Sequence, residues 1–318
     1  MNDKRIIGYG EYLFDFHKKD NIKVPGGAPP NALYHAMQFD HFKSGVLITS
    51  LGEDKDGDEL MHFLEGKGLD LSRVQRRADL PTGLVIIDKK DPNSPEFEIK
   101  TECAWSGIVP FDGMRELASG CDAFLYGSLS QVGASSRFTL YSLLSMLPPT
   151  AKKVCDINLR YRNNTELICS DEILLHSIAY SSILKVNGGE MSILAEKFGF
   201  EFDAKDIPAS AKDMMDRFPN IELLIITLGT EGSWIVSSEG EESFCSVPRI
   251  RLANAVGAGD AFTGSFLANY LDGKPLREAH QIAVNVSAYV CTQPGAMPQI
   301  PEWVKQLPMA PEWKDYLL

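Results

Sequence analysis

Six short apolar runs punctuate the chain: KRIIGYG (4–10), GVLITSLG (45–52), AFLYGSL (123–129), KKVCDINL (152–159), SILKVN (182–187) and LLIITLG (223–229). Longer stretches of helical period separate them. Runs that are apolar on both sides and alternate with helices form a mostly parallel sheet covered on both faces, so an α/β fold is expected. Each run ends in small or polar residues: Gly8 to Glu11, Thr49 to Gly52, Gly127 and Ser128, Asp156 and Asn158, Lys185 and Asn187, Thr227 and Gly229. Open α/β sheets bind ligands beyond the carboxyl ends of their strands, which puts these residues where a ligand belongs, although any strand exit is polar. Two segments break the alternation. Residues 11–26 and 80–108 read as paired strands with turns at Lys19-Asp20-Asn21 and Asp91-Pro92-Asn93, an extra small sheet suited to cover the crevice. The expected organisation is a core of residues 1–10, 27–79 and 109–318, with 11–26 and 80–108 as a β-strand lid.

Bulk properties restrict the partners. The 318 residues, 44% of them hydrophobic, can bury a sizeable core. A net charge of −12 repels phosphate backbones and anionic lipid, so neither nucleic acid nor a membrane is an expected partner. MNDKRIIGYGEYLFDF has no uncharged apolar stretch of signal-peptide length, and the six cysteines form no CxxC pair, which together suggest a reduced, cytoplasmic setting. The histidines lack HExxH spacing, so a zinc site is not expected.

The chemistry concentrates in NAVGAGDAF (254–262). Phe262, Phe266 and Tyr270 recur every four residues and Gly273 follows, so a helix should begin close to Gly257. The first N–H groups of a helix lack intrahelical partners and the dipole makes that end positive. Without bulk on Gly257, Ala258 and Gly259, a phosphate can reach them. Asp260 then stands beside the bound anion, where an attacking hydroxyl must lose its proton, and phosphoryl transfer needs that pairing. A plain glycine turn with an acidic cap has the same composition. The stretch is neither a P-loop, for want of GxxxxGK[ST], nor a dinucleotide fingerprint. VPGGAPPNALYHAMQF (24–39) gives a second glycine pair before a helix that Pro29 and Pro30 can open, with Asn31 aimed at whatever lies there. DKDGDELMHFLE (54–65) has calcium-loop offsets but Glu59 where glycine is required; it reads as an amphipathic helix with acidic first-turn residues.

Taken together, GGAPPN (26–31) and GAGDAF (257–262) resemble the two signatures of the ribokinase-like (PfkB) carbohydrate kinase family. The resemblance spans essentially the whole chain. SLGEDKDGDEL, DINLR, LKVNGGE and ITLGTEGSW resemble its intermediate motifs, and the order GGAPPN, YGSL, DINLR is most similar to the fructokinase branch. The resemblance implies a ribokinase-like three-layer sandwich with a mostly parallel central sheet flanked by helices, plus a small β-sheet lid. It also implies an ATP- and Mg²⁺-dependent kinase for a primary hydroxyl of a small sugar, fructose foremost; separately, a lid made of strands has exposed edges that pairing between two subunits would cover, so a homodimer is expected. Asp260 would be the base, Gly257, Ala258 and Gly259 the anion hole, and Asp15, Gly26, Gly27, Asn31 and Arg160 the sugar site. Asn187 and Glu190 would organise the magnesium–nucleotide complex through water, with Thr227, Gly229, Gly232 and Asn285 around the nucleotide. Asn254-Ala255 replaces the family's Asp-Thr, which puts K⁺ dependence in doubt. KTECAWSGI (100–108) replaces the fructokinase RxPxAD, leaving Trp105 to cap the sugar or pack the lid. The alternatives are a kinase for ribose, a 2-keto-3-deoxy sugar acid or a nucleoside, and a non-catalytic sugar or nucleotide sensor. A sugar acid calls for a cation such as Arg160, and a nucleoside for aromatic stacking.

Overall fold

The computed structural model describes residues 4–88, 96–162 and 165–318; the expected turn at Asp91-Pro92-Asn93 lies outside them. The chain opens with β1 (Arg5–Tyr9) and an antiparallel pair, β2 (Leu13–His17) and β3 (Ile22–Gly26), whose turn holds Asn21 at φ 54°. Helix α1 (Ala28–Ala36), β4 (Ser44–Gly52), α2 (Lys55–Leu64) and β5 (Val74–Arg77) follow, then the antiparallel pair β6 (Gly83–Asp88) and β7 (Glu96–Ile99). Next come α3 (Met114–Ser119), β8 (Ala123–Gly127), α4 (Ala134–Met146) and β9 (Lys152–Asp156). A short ribbon, β10 (Tyr161–Arg162) with β11 (Glu166–Leu167), precedes α5 (Asp171–Ala179), β12 (Ile183–Asn187), α6 (Gly188–Phe198) and α7 (Ile207–Arg217). The chain finishes with β13 (Leu223–Thr227), β14 (Ser233–Ser237), β15 (Glu242–Cys245), α8 (Ala258–Leu271) and α9 (Leu276–Cys291).

The six apolar runs become β1, β4, β8, β9, β12 and β13, and all lie in one sheet of order β15-β14-β13-β12-β9-β8-β1-β4-β5. Its strands all run in one direction except β14, which pairs antiparallel with β13 and with the edge strand β15. Two-sided burial explains their composition. Ile6, Leu125, Ile183 and Ile225 pack toward α1, α2, α8 and α9, while their neighbours Ile7, Phe124, Leu184 and Leu224 pack toward α3 to α7. The result is a three-layer α/β sandwich. The two segments that broke the alternation supply a separate sheet of order β3-β2-β6-β7, joined by parallel pairing of β2 with β6. The calcium-loop offsets are indeed a helix start: Asp54 caps α2 by accepting the Gly57 N–H at 2.8 Å. Among the described residues, no helix is long and apolar enough to cross a membrane.

Helices α1 and α8 are pressed together at Gly264, where an added Cβ would stand 2.1 Å from the Ala32 carbonyl oxygen. That contact involves backbone, so a side chain there forces the helices apart. Gly264→Val is expected to cost at least about 1–3 kcal/mol in a denaturant melt, the usual overpacking penalty. A variant as stable as the parent would show that the helix contact is soft.

Candidate active site

The chain steps outward from β1 to β4 and β5, then returns to β8 on the other side of β1, so the order reverses between β1 and β8. Crevices form at such reversals because the flanking connections diverge to opposite faces. A cavity of about 520 Å³ opens there, bounded by the strand ends, the starts of α1 and α8, and the small sheet.

Glu11 follows β1 and is 5% exposed. Its Oε1 accepts the Ala28 N–H at 3.3 Å, while Oε2 has no protein partner. Burial raises its pKa. Gly27, at φ 132°, passes so close that a Cβ would sit 2.4 Å from the Glu11 carbonyl oxygen, and one on Gly26 would meet Asp15 Oδ2 at 2.6 Å. Both glycines are therefore dictated by close approach, and they set Asp15 at the cavity wall. One turn into α1, buried Asn31 donates from Nδ2 to Asp260 Oδ2 at 2.8 Å, leaving its own Oδ1 unpartnered. Two buried acceptors without protein partners, Glu11 Oε2 and Asn31 Oδ1, suit a ligand that brings hydroxyl donors.

Helix α8 starts at Gly257, whose φ of 80° is left-handed and whose absent Cβ would stand 2.5 Å from the Ala296 Cβ. The helix start thus faces the cavity, with Gly257, Gly259 and Asp260 all lining it. The Asp260 carboxyl is raised to about 7, chiefly by burial. The Asn31 hydrogen bond and Lys185 oppose that rise; Asp156 and Glu11 add to it. A carboxyl poised there is fit to take a proton near neutral pH.

Lys185, on β12, is buried and donates to Asp156 Oδ2 at 2.6 Å. Burial alone would lower its pKa, but Asp156, Glu190 and Asp260 hold it above the usual value. Its Nζ lies 3.3 Å from where a Gly259 Cβ would be, directly under the first turn of α8. Lys185, Asp156 and Glu11 are expected from sequence only as polar strand ends near a ligand, with no individual role. The available signal was a charged residue inside an otherwise two-sided apolar run.

The cavity gathers Asp15, Gly27, Asn31, Arg160, Gly257, Gly259 and Asp260, with Gly26 behind Asp15 and Ala258 in the same helix turn. Asn187 and Thr227 are paired neighbours at the ends of β12 and β13, farther along the same sheet edge. Gly229 and Gly232 follow Thr227 at φ 59° and 117°. Glu190 and Asn187 form a capping box on α6: Glu190 takes the N–H of Leu159 and of Asn187, and Asn187 takes that of Glu190. Both Glu190 carboxylate oxygens are thus occupied by backbone donors. Asn285 is fully buried, with its Oδ1 accepting from Gln281, and does not line the cavity. Trp105 is fully buried with Leu13, Val85, Ile87 and Leu129, and its ring lies against Gly83; it packs the base of the small sheet.

The chain is 27% identical to an aminoimidazole riboside kinase of Salmonella typhimurium over 312 residues, 95% of this chain and 92% of that one. It is 26% identical to a ribokinase of Dictyostelium discoideum over 308 residues, 90% and 89% of the two chains. A fructokinase structure from Xylella fastidiosa with bound ATP superposes with a TM-score of 0.77 at 19% identity, covering 94% of this chain and 95% of that one, a likeness of ribokinase-like fold. Residues 16–303 match the pfkB family carbohydrate kinases, and the chain belongs to that family of sugar phosphotransferases.

Proposed function

We propose that this chain transfers the γ-phosphoryl group of ATP to a primary hydroxyl of a small neutral sugar, with fructose first among the free sugars. One observation carries the reading: Asp260, raised to about 7, is held by Asn31 on the cavity-lining first turn of α8. In the reaction the hydroxyl O–H bond breaks and its proton goes to Asp260. A new P–O bond forms as the bond from the γ-phosphorus to its bridging oxygen breaks, releasing ADP. The N–H groups at the start of α8 and the Lys185 ammonium face the charge that shifts during transfer. Asp15, Asn31 and Glu11 bind the sugar hydroxyls. The small sheet acts as a lid that keeps water from competing as acceptor.

The nucleotide lies along Asn187, Thr227, Gly229 and Gly232, with the adenine toward α9. Mg²⁺ would arrive on the phosphates and neutralise their charge. Among the described residues no acidic or histidine cluster could hold a metal unaided, and the Glu190 oxygens already serve backbone donors, so Asn187 and Glu190 fit contact through water only. Asn254 Oδ1 already accepts the Val256 N–H at 3.0 Å, and replacing K⁺ by a bulky organic cation is expected to leave the rate unchanged. The small sheet has two edges, β3 and β7, and pairing of such edges would give a homodimer, readable by light scattering.

ADP release with fructose, ribose and a 2-keto-3-deoxy sugar acid tests the reading. The cavity carries four carboxylates, Glu11, Asp15, Asp156 and Asp260, against Arg160 and an already paired Lys185. The sugar acid is therefore expected to be the poorest acceptor. Its preference over the neutral sugars would overturn this charge argument, and calorimetric sugar binding without ADP release would favour a sensor.

A further inference from the structure

Helix α1 reaches the start of α8 at a second point besides Asp260, and this matters for phosphoryl transfer if the kinase reading holds. Residues four apart share one face of a helix, and Asn31 and His35 are such a pair on α1. Asn31 holds Asp260, on the first turn of α8. His35 is fully buried and places its Nε2 2.9 Å from the Ala296 carbonyl oxygen. A carbonyl only accepts, so Nε2 carries the ring proton and Nδ1 is left as an acceptor. Gln38, just past the end of α1, suits that tautomer. Its Nε2 can donate to His35 Nδ1 at 3.4 Å, and its Oε1 accepts the Ile300 N–H at 2.7 Å. Burial lowers the His35 pKa to about 4, so the ring stays neutral near pH 7 and keeps this arrangement.

What His35 holds is the wall behind Gly257. A Cβ on Gly257 would stand 2.5 Å from the Ala296 Cβ, 2.9 Å from its Cα and 3.0 Å from its carbonyl oxygen. A few residues earlier, at the end of α9, the Cys291 carbonyl accepts the N–H groups of Ala253 and Asn254 at 2.9 and 3.1 Å. The loop that leads into α8 is therefore backed at both its ends by the chain from 291 to 296. His35, Cys291 and Ala296 do not line the cavity, although Gly257 and Gly259 do. Helix α1 is itself fixed in depth, because the Ala32 carbonyl meets α8 at Gly264. One helix consequently sets both the Asp260 carboxyl, through Asn31, and the Gly257 turn, through His35 and Ala296.

We propose that His35 is a positioning residue for phosphoryl transfer: its hydrogen bond keeps Ala296 against Gly257 and so fixes where the first N–H groups of α8 stand relative to Asp260. The hydroxyl that loses its proton and the phosphoryl group that accepts the attack must be aligned at the same moment. A misplacement of about 1 Å, even one caused far from the chemistry, can cost about 10²-fold in rate. Asp15, Glu11 and Asn31 hold the acceptor without His35, so the loss belongs to kcat and not to acceptor binding.

The test compares the purified full chain with His35→Leu and His35→Gln, each checked for folding by circular dichroism, in ADP-release assays with ATP and the best acceptor. Leucine keeps the bulk and removes the donor, whereas the glutamine amide nitrogen reaches the place of Nε2 and restores it. The expected result is a kcat about 10- to 100-fold lower in His35→Leu, with the acceptor KM within about threefold of the parent. His35→Gln should keep kcat within about threefold of the parent. A folded His35→Leu with the parent kcat overturns the proposal, as does a loss confined to KM or one that His35→Gln shares in full. Should His35→Leu not fold, His35→Asn takes its place, because its shorter amide stops at the position of Nδ1. Equal kcat values for His35→Asn and His35→Gln would then overturn the proposal, and a tenfold or greater advantage of about that size for His35→Gln would support it. A parent chain that releases no ADP with any acceptor overturns the kinase reading itself, and this proposal with it.

Discussion

Asp260→Asn is expected to lower kcat by about 10²–10⁴-fold, the range for a positioned general base, with acceptor affinity little changed. The amide keeps the volume, and its oxygen can still accept from Asn31, which now donates at 2.8 Å. What disappears is the ability to take the proton. The same substitution should stabilise the fold at alkaline pH. Asp260 has a folded pKa of about 7, above its ordinary 3.8, so the native state binds its proton more tightly than the unfolded chain does. The stability it contributes is full below about pH 4 and is lost as pH rises through 7. Thermal melts should therefore place Asp260→Asn above the parent at pH 8 by on the order of a few degrees, with the gap closing near pH 4. Equal melting at both pH values would mean that Asp260 is not strained by its surroundings.

Lys185→Met is the second large effect. The ammonium sits under the α8 turn and pairs with Asp156 at 2.6 Å, with the two side chains 8% and 16% exposed. Removing a preorganised charge of this kind typically costs about 10²–10³-fold in kcat. Breaking a buried pair from one side also leaves the partner charge uncompensated, a penalty of about 3–5 kcal/mol. The two losses are separable. Lys185→Met with Asp156→Asn should recover most of the stability without recovering the rate. Recovery of both would make Lys185 a purely structural residue. Because Lys185 lowers the Asp260 pKa, the single variant should also move the acid limb of the pH–rate profile upward.

Much of this could be read before any coordinates. Strands buried on both faces must be apolar at consecutive positions, so β1, β4, β8, β9, β12 and β13 announce themselves. Strands β14 and β15, at the antiparallel end of the sheet, do not, because a strand such as SWIVS mixes serine with apolar residues and lacks that continuous run. Gly257 was legible because a helix start free of side chains is written locally. Gly264 was not: its need arises from the Ala32 carbonyl, far away in sequence. For the same reason Lys185 and Asp156 read as strand-end polarity, and only the fold turns them into one buried pair beside Asp260. Asn285 was expected near an adenine from its motif alone; its interior place in α9 follows from helix packing, which the motif does not encode.

The most direct test is the pH dependence of kcat/KM for the parent chain with its best acceptor and ATP. A base raised to about 7 by burial must be ionised to work, so the rate should climb with pH and level off above an apparent pKa of about 7, and Asp260→Asn should lose that limb. A parent profile flat from about pH 5.5 to 8.5, or an acid limb that survives in Asp260→Asn, would contradict the assignment of Asp260 as the proton acceptor.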